Sequence, residues 1–210
     1  MKTPKFITFT GFDDRTNISD MKQIHNKYPV EWGVLISPLN RGARFPSSHA
    51  IHEVVGTDMA FSLHCCGQFT YDIQSLRTFH LPIPNIFSFD RVQINGSVNL
   101  STVNEMVRTF KTDIIIQVED CYRHYPDKHN LYQLFDTSKG NGGFPDNIIP
   151  HPGFMVGYAG GMSPETVLDY ISQIDFTKGS DYWIDMESGV RTNGWFDLQK
   201  VEDVCKKVYN

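Results

Sequence analysis

Apolar residues in this chain gather in short β-type runs separated by polar, glycine-bearing and proline-bearing segments, and the unit recurs eight times. The runs are "FITFT" (6–10), "EWGVLIS" (31–37), "MAFSLHC" (59–65), "FDRVQIN" (89–95), "DIIIQVE" (113–119), "LYQLFD" (131–136), "FMVGYAG" (154–160) and "DYWIDME" (181–187). Most are followed by segments of helical composition, strongest over 18–28, 99–110, 163–173 and 196–208. "SPETVLDYISQI" starts with Ser163 as N-cap and Pro164 in the first turn, and "FDLQKVEDVCKKVY" opens acidic and closes basic. Eight strand-helix units with no obvious linker predict an α/β fold, a single (β/α)8 TIM barrel spanning residues 1–210. After the fifth strand "DCYRHYPDKHN" is short and rich in helix breakers, and after the sixth "TSKGNGGFPDNIIPHP" reads as a loop. Short or irregular helices are expected at those two places. A doubly wound open sheet is the rival, and it would put a ligand at a strand-order switch point.

Composition narrows the function. Hydrophobic content of 40% and aromatic content of 13% describe a soluble globular protein, and no apolar run reaches the ~18 residues of a membrane span. The beginning "MKTPKFITFTGFDD" lacks a signal peptide's apolar core, so a cytoplasmic location is expected. A net charge of −5 without a basic cluster excludes a concentrated phosphate-backbone surface, and a small ligand is the expected partner. Cys65, Cys66, Cys121 and Cys205 show no CxxC or Cys/His zinc spacing and are expected as reduced thiols. Adjacent residues on a strand face opposite ways, so "HCCG" (64–67) reads as packing rather than as a metal centre.

In a (β/α)8 barrel the loops after the strands form the active face. Here the strand ends are polar: Thr10, Arg41 and Arg44, His64, Asn95, Glu119, Asp136, Gly160 with Gly161, and Asp185 with Glu187. "MVGYAGGMSPETV" (155–167) breaks from an apolar run into a glycine pair and restarts as a capped helix. Backbone N–H groups left unpaired at the positive end of a helix dipole favour an anion. "ESGVRTNG" after the eighth strand would set Ser188 and Gly189 beside Gly160 and Gly161, which suits a phosphate held between the last two loops. Glu119 and Asp120, with Asp185 and Glu187, form the weaker alternative of a divalent-ion site; no metal is expected.

"YAGGMSPETV" and "IDMESGVRTNGWFDLQKVEDV" resemble the loop-7 motif and the terminal motif of the phosphoribosylanthranilate isomerase family, whose eighth strand ends in Asp-Val-Ser-Ser-Gly-Val-Glu. "TFTGFDDRTNISDM", "VQINGS" and "LFDTSKGNGG" resemble its first, fourth and sixth strand regions in weaker form. The resemblance implies an Amadori rearrangement. The ring of an N-linked 5-phosphoribose opens, and a proton then leaves C2′ to give a 1-amino-1-deoxyketose, with an acid near the ring oxygen, a base near C2′ and no cofactor. It implies Asp136 as the acid. The family's strand-1 cysteine, the base, aligns with Thr10, whose hydroxyl is far too weak an acid to serve unaided. Asp13, His64 and Cys65 are the nearby replacements, and His64 has the ordinary pKa that suits the task. Asn95 stands where the family has a strand-4 histidine, and Glu187 through Arg191 replace Ser-Ser-Gly-Val-Glu. Glu187 is expected to point away from the anion or pair with Arg191, since an unpaired carboxylate there repels phosphate. Arg44, with Arg41 as the alternative, matches the arginine for the anthranilate carboxylate. The expectation is a phosphosugar isomerase with altered substrate or reaction, monomeric or homodimeric, that binds a small phosphorylated ligand. The alternative is a non-catalytic protein that keeps the phosphate cradle.

Overall fold

Which side chains on each strand meet the helices, and which meet one another across the barrel axis, follows from the strict two-residue alternation of an extended chain. The computed structural model describes residues 2–39, 42–76, 81–96, 98–110, 112–118, 130–136, 143, 148, 153–174 and 181–210. All eight predicted strands are present: β1 (Ile7–Thr10), β2 (Val30–Ile36), β3 (Ala60–Cys65), β4 (Arg91–Ile94), β5 (Asp113–Val118), β6 (Leu131–Phe135), β7 (Val156–Ala159) and β8 (Tyr182–Met186). Each pairs in parallel with its neighbours in sequence, and β8 closes on β1 through Ile7–Ile184, Thr8–Asp185 and Phe9–Met186. The open-sheet alternative is thereby replaced by a closed (β/α)8 barrel.

Six helices are found among the described residues: α1 (Ile18–Lys27), α2 (Ser48–Val55), α3 (Gln68–Gln74), α4 (Leu100–Thr109), α5 (Val167–Ser172) and α6 (Leu198–Tyr209). Asn17, Ser47, Asn99 and Asp197 cap α1, α2, α4 and α6 by accepting backbone N–H groups. Ser163 starts its turn as expected: its Oγ accepts from Glu165 N at 3.2 Å, while Thr166 Oγ1 accepts from Ser163 N at 2.9 Å, a reciprocal box. The regular helix α5 begins only at Val167, however, and is shorter than the predicted 163–173. The expected short helices after β5 and β6 lie outside the described residues. No described helix is long and apolar enough to cross a membrane.

The outward sets, such as Phe9, Trp32, Val34, Phe61, Leu63, Val92, Ile114 and Ile184, join the helices in one continuous apolar layer. A second cluster, Ile115, Leu134, Ala159 and Trp183, fills one half of the barrel interior. Trp183 fits because Gly157 faces it: a Cβ there would lie 2.3 Å from the indole Cε2. The other half of the interior is polar. Arg91 donates to Glu31 through Nε at 2.7 Å and Nη2 at 2.6 Å, and Thr8 donates to Glu31 at 2.9 Å. The Arg91 guanidinium lies 4.5 Å from the ring centres of both Phe6 and Trp183, so it joins the two halves. Burial pushes the Glu31 carboxyl up, but Arg91, Thr8 and Ser62 outweigh it and hold it below the usual carboxylate range.

Removing one partner of such a pair strands a buried charge, so Arg91→Leu is expected to cost about 3–5 kcal/mol in equilibrium denaturation. The Glu31→Leu/Arg91→Leu double variant should recover most of that loss. Gly157→Ala, which drives a methyl into the indole, is expected to cost about 1–3 kcal/mol.

Candidate functional site

Inward residues near the C-terminal strand ends, with the loops that follow, enclose a cavity of about 250 Å³. Thr10 of β1, His64 of β3, Gln93 of β4 and Asp185 of β8 project into it because each sits at an inward register position. Arg44, Cys66, Asn95, Asp136, Gly160 to Met162, Glu187 and Ser188 complete its wall from the loops. Thr10, Arg44, His64, Asn95, Asp136, Gly160, Gly161 and Ser188 therefore meet at one mouth, and Gly189 stands just behind it.

Gly160 and Gly161 adopt φ of 110° and 64°, a region that glycine enters without penalty. Gly189 packs so closely against this turn that a Cβ would lie 1.9 Å from the Met162 carbonyl oxygen. The loops after β7 and β8 thus touch. Gly161, Met162 and Ser188 line the cavity, and among the described residues their amides donate to no other group.

Asp136 follows β6, is 6% exposed and accepts 2.8 Å from Gln117 Nε2. Asn95 accepts 3.0 Å from Gln93 Nε2 and donates to Cys66 Sγ at 3.2 Å. The Gln93 Oε1 atom is buried without a partner among the described residues. Thr10 donates its hydroxyl to Asp185 Oδ1 at 2.7 Å.

The replacements expected for the base fare differently. His64 lines the cavity, but burial pushes its pKa down to about 3, with Arg91 adding to and Glu31 opposing the shift. The imidazole is therefore neutral at ordinary pH and a weak base, contrary to the expectation of an ordinary pKa. Cys65 points the other way, into the outer apolar layer, and burial raises its thiol. Cys66 is the cysteine at the cavity. Asp13 accepts from Arg15 N at 2.9 Å and Phe196 N at 2.9 Å and ties the first loop to the short antiparallel hairpin of Arg191–Thr192 and Trp195–Phe196, away from the cavity.

Glu187 neither points away nor pairs with Arg191. It forms an ion pair with Arg44 across the mouth. Burial raises the Glu187 carboxyl, and Arg44 and Arg191 counter the rise. Arg191 is engaged elsewhere, donating to the carbonyls of Ala43 at 2.6 Å, Gly194 at 2.9 Å and Gly11. Arg41, Glu119 and Asp120 lie outside the described residues, and among those described no three His, Cys, Asp or Glu residues form a metal-holding group.

Sequence reasoning does not single out Asp185 as a group that titrates near neutrality. It is 8% exposed, and burial is the main force pushing its pKa up to about 7, against the bond from Thr10 and with help from Glu187, Glu31 and Asp136. Its Oδ2 lies 4.0 Å from His64 Nδ1. The two-residue period that turns Thr10 and His64 inward is the signal that could have found it.

A model of the family described as N-(5'phosphoribosyl)anthranilate (PRA) isomerase matches residues 83–207. Comparison with curated protein sequences finds no match. Among solved structures the chain is similar to N-(5'-phosphoribosyl)anthranilate isomerase from Pyrococcus furiosus, at 15% identity and a TM-score of 0.60 over 97% of this chain and 98% of that one. It is also similar to phosphoribosyl anthranilate isomerase from Thermotoga maritima, at 14% identity and a TM-score of 0.63 over 97% and 98%. A further structure, a phosphoribosyl anthranilate isomerase in complex with reduced 1-(o-carboxyphenylamino)-1-deoxyribulose 5-phosphate, gives 14% identity and 0.63 over 96% and 97%. At such identities the likeness carries the fold alone.

His64 and Asp185 have opposite effects on stability as pH changes. The depressed His64 contributes stability above its unfolded pKa that is lost as pH falls toward about 3, whereas the raised Asp185 contributes stability at low pH that is lost as pH rises through about 7. From roughly pH 4 to 6.5 the slopes cancel, because the pair binds about one proton in both folded and unfolded states. Asp185→Asn is expected to unmask the histidine, so that stability climbs by up to about 1.4 kcal/mol per pH unit across that window in denaturation series.

Proposed function

This chain belongs to the N-(5'-phosphoribosyl)anthranilate isomerase family, and from that premise we propose that it catalyses an Amadori-type aldose-to-ketose isomerisation of an N-linked 5-phosphoribose, with a substrate or reaction altered from the family's. The observation that carries this reading is the meeting of Asp136 with the paired glycine turns at one cavity. The 5-phosphate sits on the amides of Gly161, Met162 and Ser188, where main-chain donors approach an anion without side-chain bulk. Asp136 protonates the ring oxygen, and the Gln93 and Asn95 amides hold sugar hydroxyls; the unpartnered Gln93 Oε1 is an acceptor waiting for one.

The alteration rests on two departures. Thr10 replaces the expected cysteine, and Arg44 is committed to Glu187 rather than to a substrate carboxylate. The first of these also favours a second reading, in which the chain binds the phosphorylated sugar and does not convert it.

Thermal-shift titration with inorganic phosphate and with phosphoribosyl arylamines, followed by a turnover assay on those that bind, separates the two. Conversion that falls by about 10²-fold or more in Asp136→Asn supports the enzyme. Binding without conversion supports the binder, and no binding at all removes both. Glu187→Gln takes a carboxylate from beside the cradle and frees Arg44, so it is expected to tighten inorganic phosphate by roughly tenfold, equivalent to about 1.4 kcal/mol.

A further inference from the structure

The hydroxyl of Thr10 cannot abstract a proton from carbon, but it donates its own at 2.7 Å to Asp185 Oδ1. A carboxylate therefore stands in the corner of the cavity where the family motif would put its base. Asp185 reaches this corner from the inward face of β8, buried and lining the cavity wall. Of the other carboxylates of the mouth, Glu187 is held by Arg44, and Asp136, which accepts from Gln117 Nε2, is the acid of the reaction proposed above.

Behind Asp185 stands His64, with Nε2 2.9 Å from Ser62 Oγ and Nδ1 4.0 Å from Asp185 Oδ2, beyond hydrogen-bond distance. Asp185 accepts from Thr10 at Oδ1, which orients the ionised form and leaves Oδ2 as the oxygen that receives a proton.

We propose that Asp185 is the base of this site, with Thr10 as the positioning residue that fixes its Oδ1 and leaves Oδ2 to receive the proton. The proposal rests on the isomerase reading above. Once Asp136 has protonated the ring oxygen and the ring has opened to an iminium ion, Asp185 takes the proton from C2′. The C2′–H bond breaks, its electron pair forms the C1′=C2′ bond, the iminium π pair returns to nitrogen, and the proton ends on Oδ2. No oxidant, reductant or metal enters the balance. The groups facing Asp185 are Thr10 from β1, Glu31 from β2, His64 from β3, Asp136 after β6 and Glu187 at the end of its own strand. Burial, opposed by the Thr10 bond and helped by Glu187, Glu31 and Asp136, raises its pKa to about 7, where a carboxylate is both partly ionised and a competent base.

The test uses the full chain and phosphoribosyl arylamines carrying deuterium at C2′, with N-(5'-phosphoribosyl)anthranilate first, and the reduced deoxyribulose phosphate analogue as an unreactive binding probe. Asp185→Asn is expected to bind the analogue within about threefold of wild type yet release deuterium at least about 100-fold more slowly. The wild-type kcat profile should rise with a midpoint near 7, and that limb should vanish in Asp185→Asn. Thr10→Val, which removes a bond to the ionised carboxylate, should move the limb to higher pH, and Asp185→Glu should restore part of the rate. Deuterium release in Asp185→Asn within about threefold of wild type overturns the proposal and leaves the isomerase reading intact. A wild-type chain that binds the analogue and releases no deuterium overturns the base and favours the binder, whereas one that binds nothing overturns the isomerase reading itself.

Discussion

The bidentate contact between Arg91 and Glu31 is the constraint on which the interior of this barrel depends. Two charges placed in a closed parallel barrel are tolerable only when each satisfies the other and the remaining donors find partners. Phe6 and Trp183 stack on the guanidinium, Thr8 accepts from its Nη2, and Thr8 and Ser62 complete the carboxylate, while the buried Arg91 Nη1 is the donor left without a hydrogen-bond partner among the described residues. From there the consequence travels upward. Ser62 lies 2.9 Å from His64 Nε2, and the neutral imidazole sets its Nδ1 4.0 Å from Asp185 Oδ2 at the cavity. Burial governs the protonation of the mouth, and the charge pair one layer below adjusts it.

The mouth itself shows how a charge pattern can be exchanged while a shape is kept. Glu187 stands where the family motif carries a serine, and Arg191 where it carries an acid. Arg44 neutralises the first, and three main-chain carbonyls absorb the second. The backbone contact between Gly189 and Met162 is untouched by either change, so the two glycine turns keep their mutual approach.

Much of this was legible in the chain. Eight apolar runs gave eight strands to within two residues at most ends, and the glycine pair and its neighbours after β8 lie together as the repeat implied. Helices α2 and α3 were not singled out, because "SHAIHEVV" and "QFTYDIQ" are short and mix β-branched or aromatic residues with polar ones. The choice between Cys65 and Cys66 was readable from pleat alone: with His64 inward, Cys65 must face the helices and Cys66 the cavity. Burial was not readable in this way. Nothing local to His64 announces that its pKa falls to about 3, since Glu31, Ser62 and Arg91 reach it only through the closed sheet. The partner of Glu187 was likewise hidden, because Arg44 comes from the loop after β2 and meets it only across the mouth.

The clasp formed by Arg191 has a temporal meaning. Its guanidinium grips Gly11 and Ala43, which emerge early during synthesis, and β1 lacks one of its two flanking strands until β8 has been made. Contacts this distant in sequence impose a large loop-closure penalty and slow folding. A chain whose β8 has not yet formed carries β1 with one edge bare and the Arg191 clasp unfastened, a species prone to aggregate. Docking of β8 is thus the event that converts an adhesive open sheet into a sealed ring.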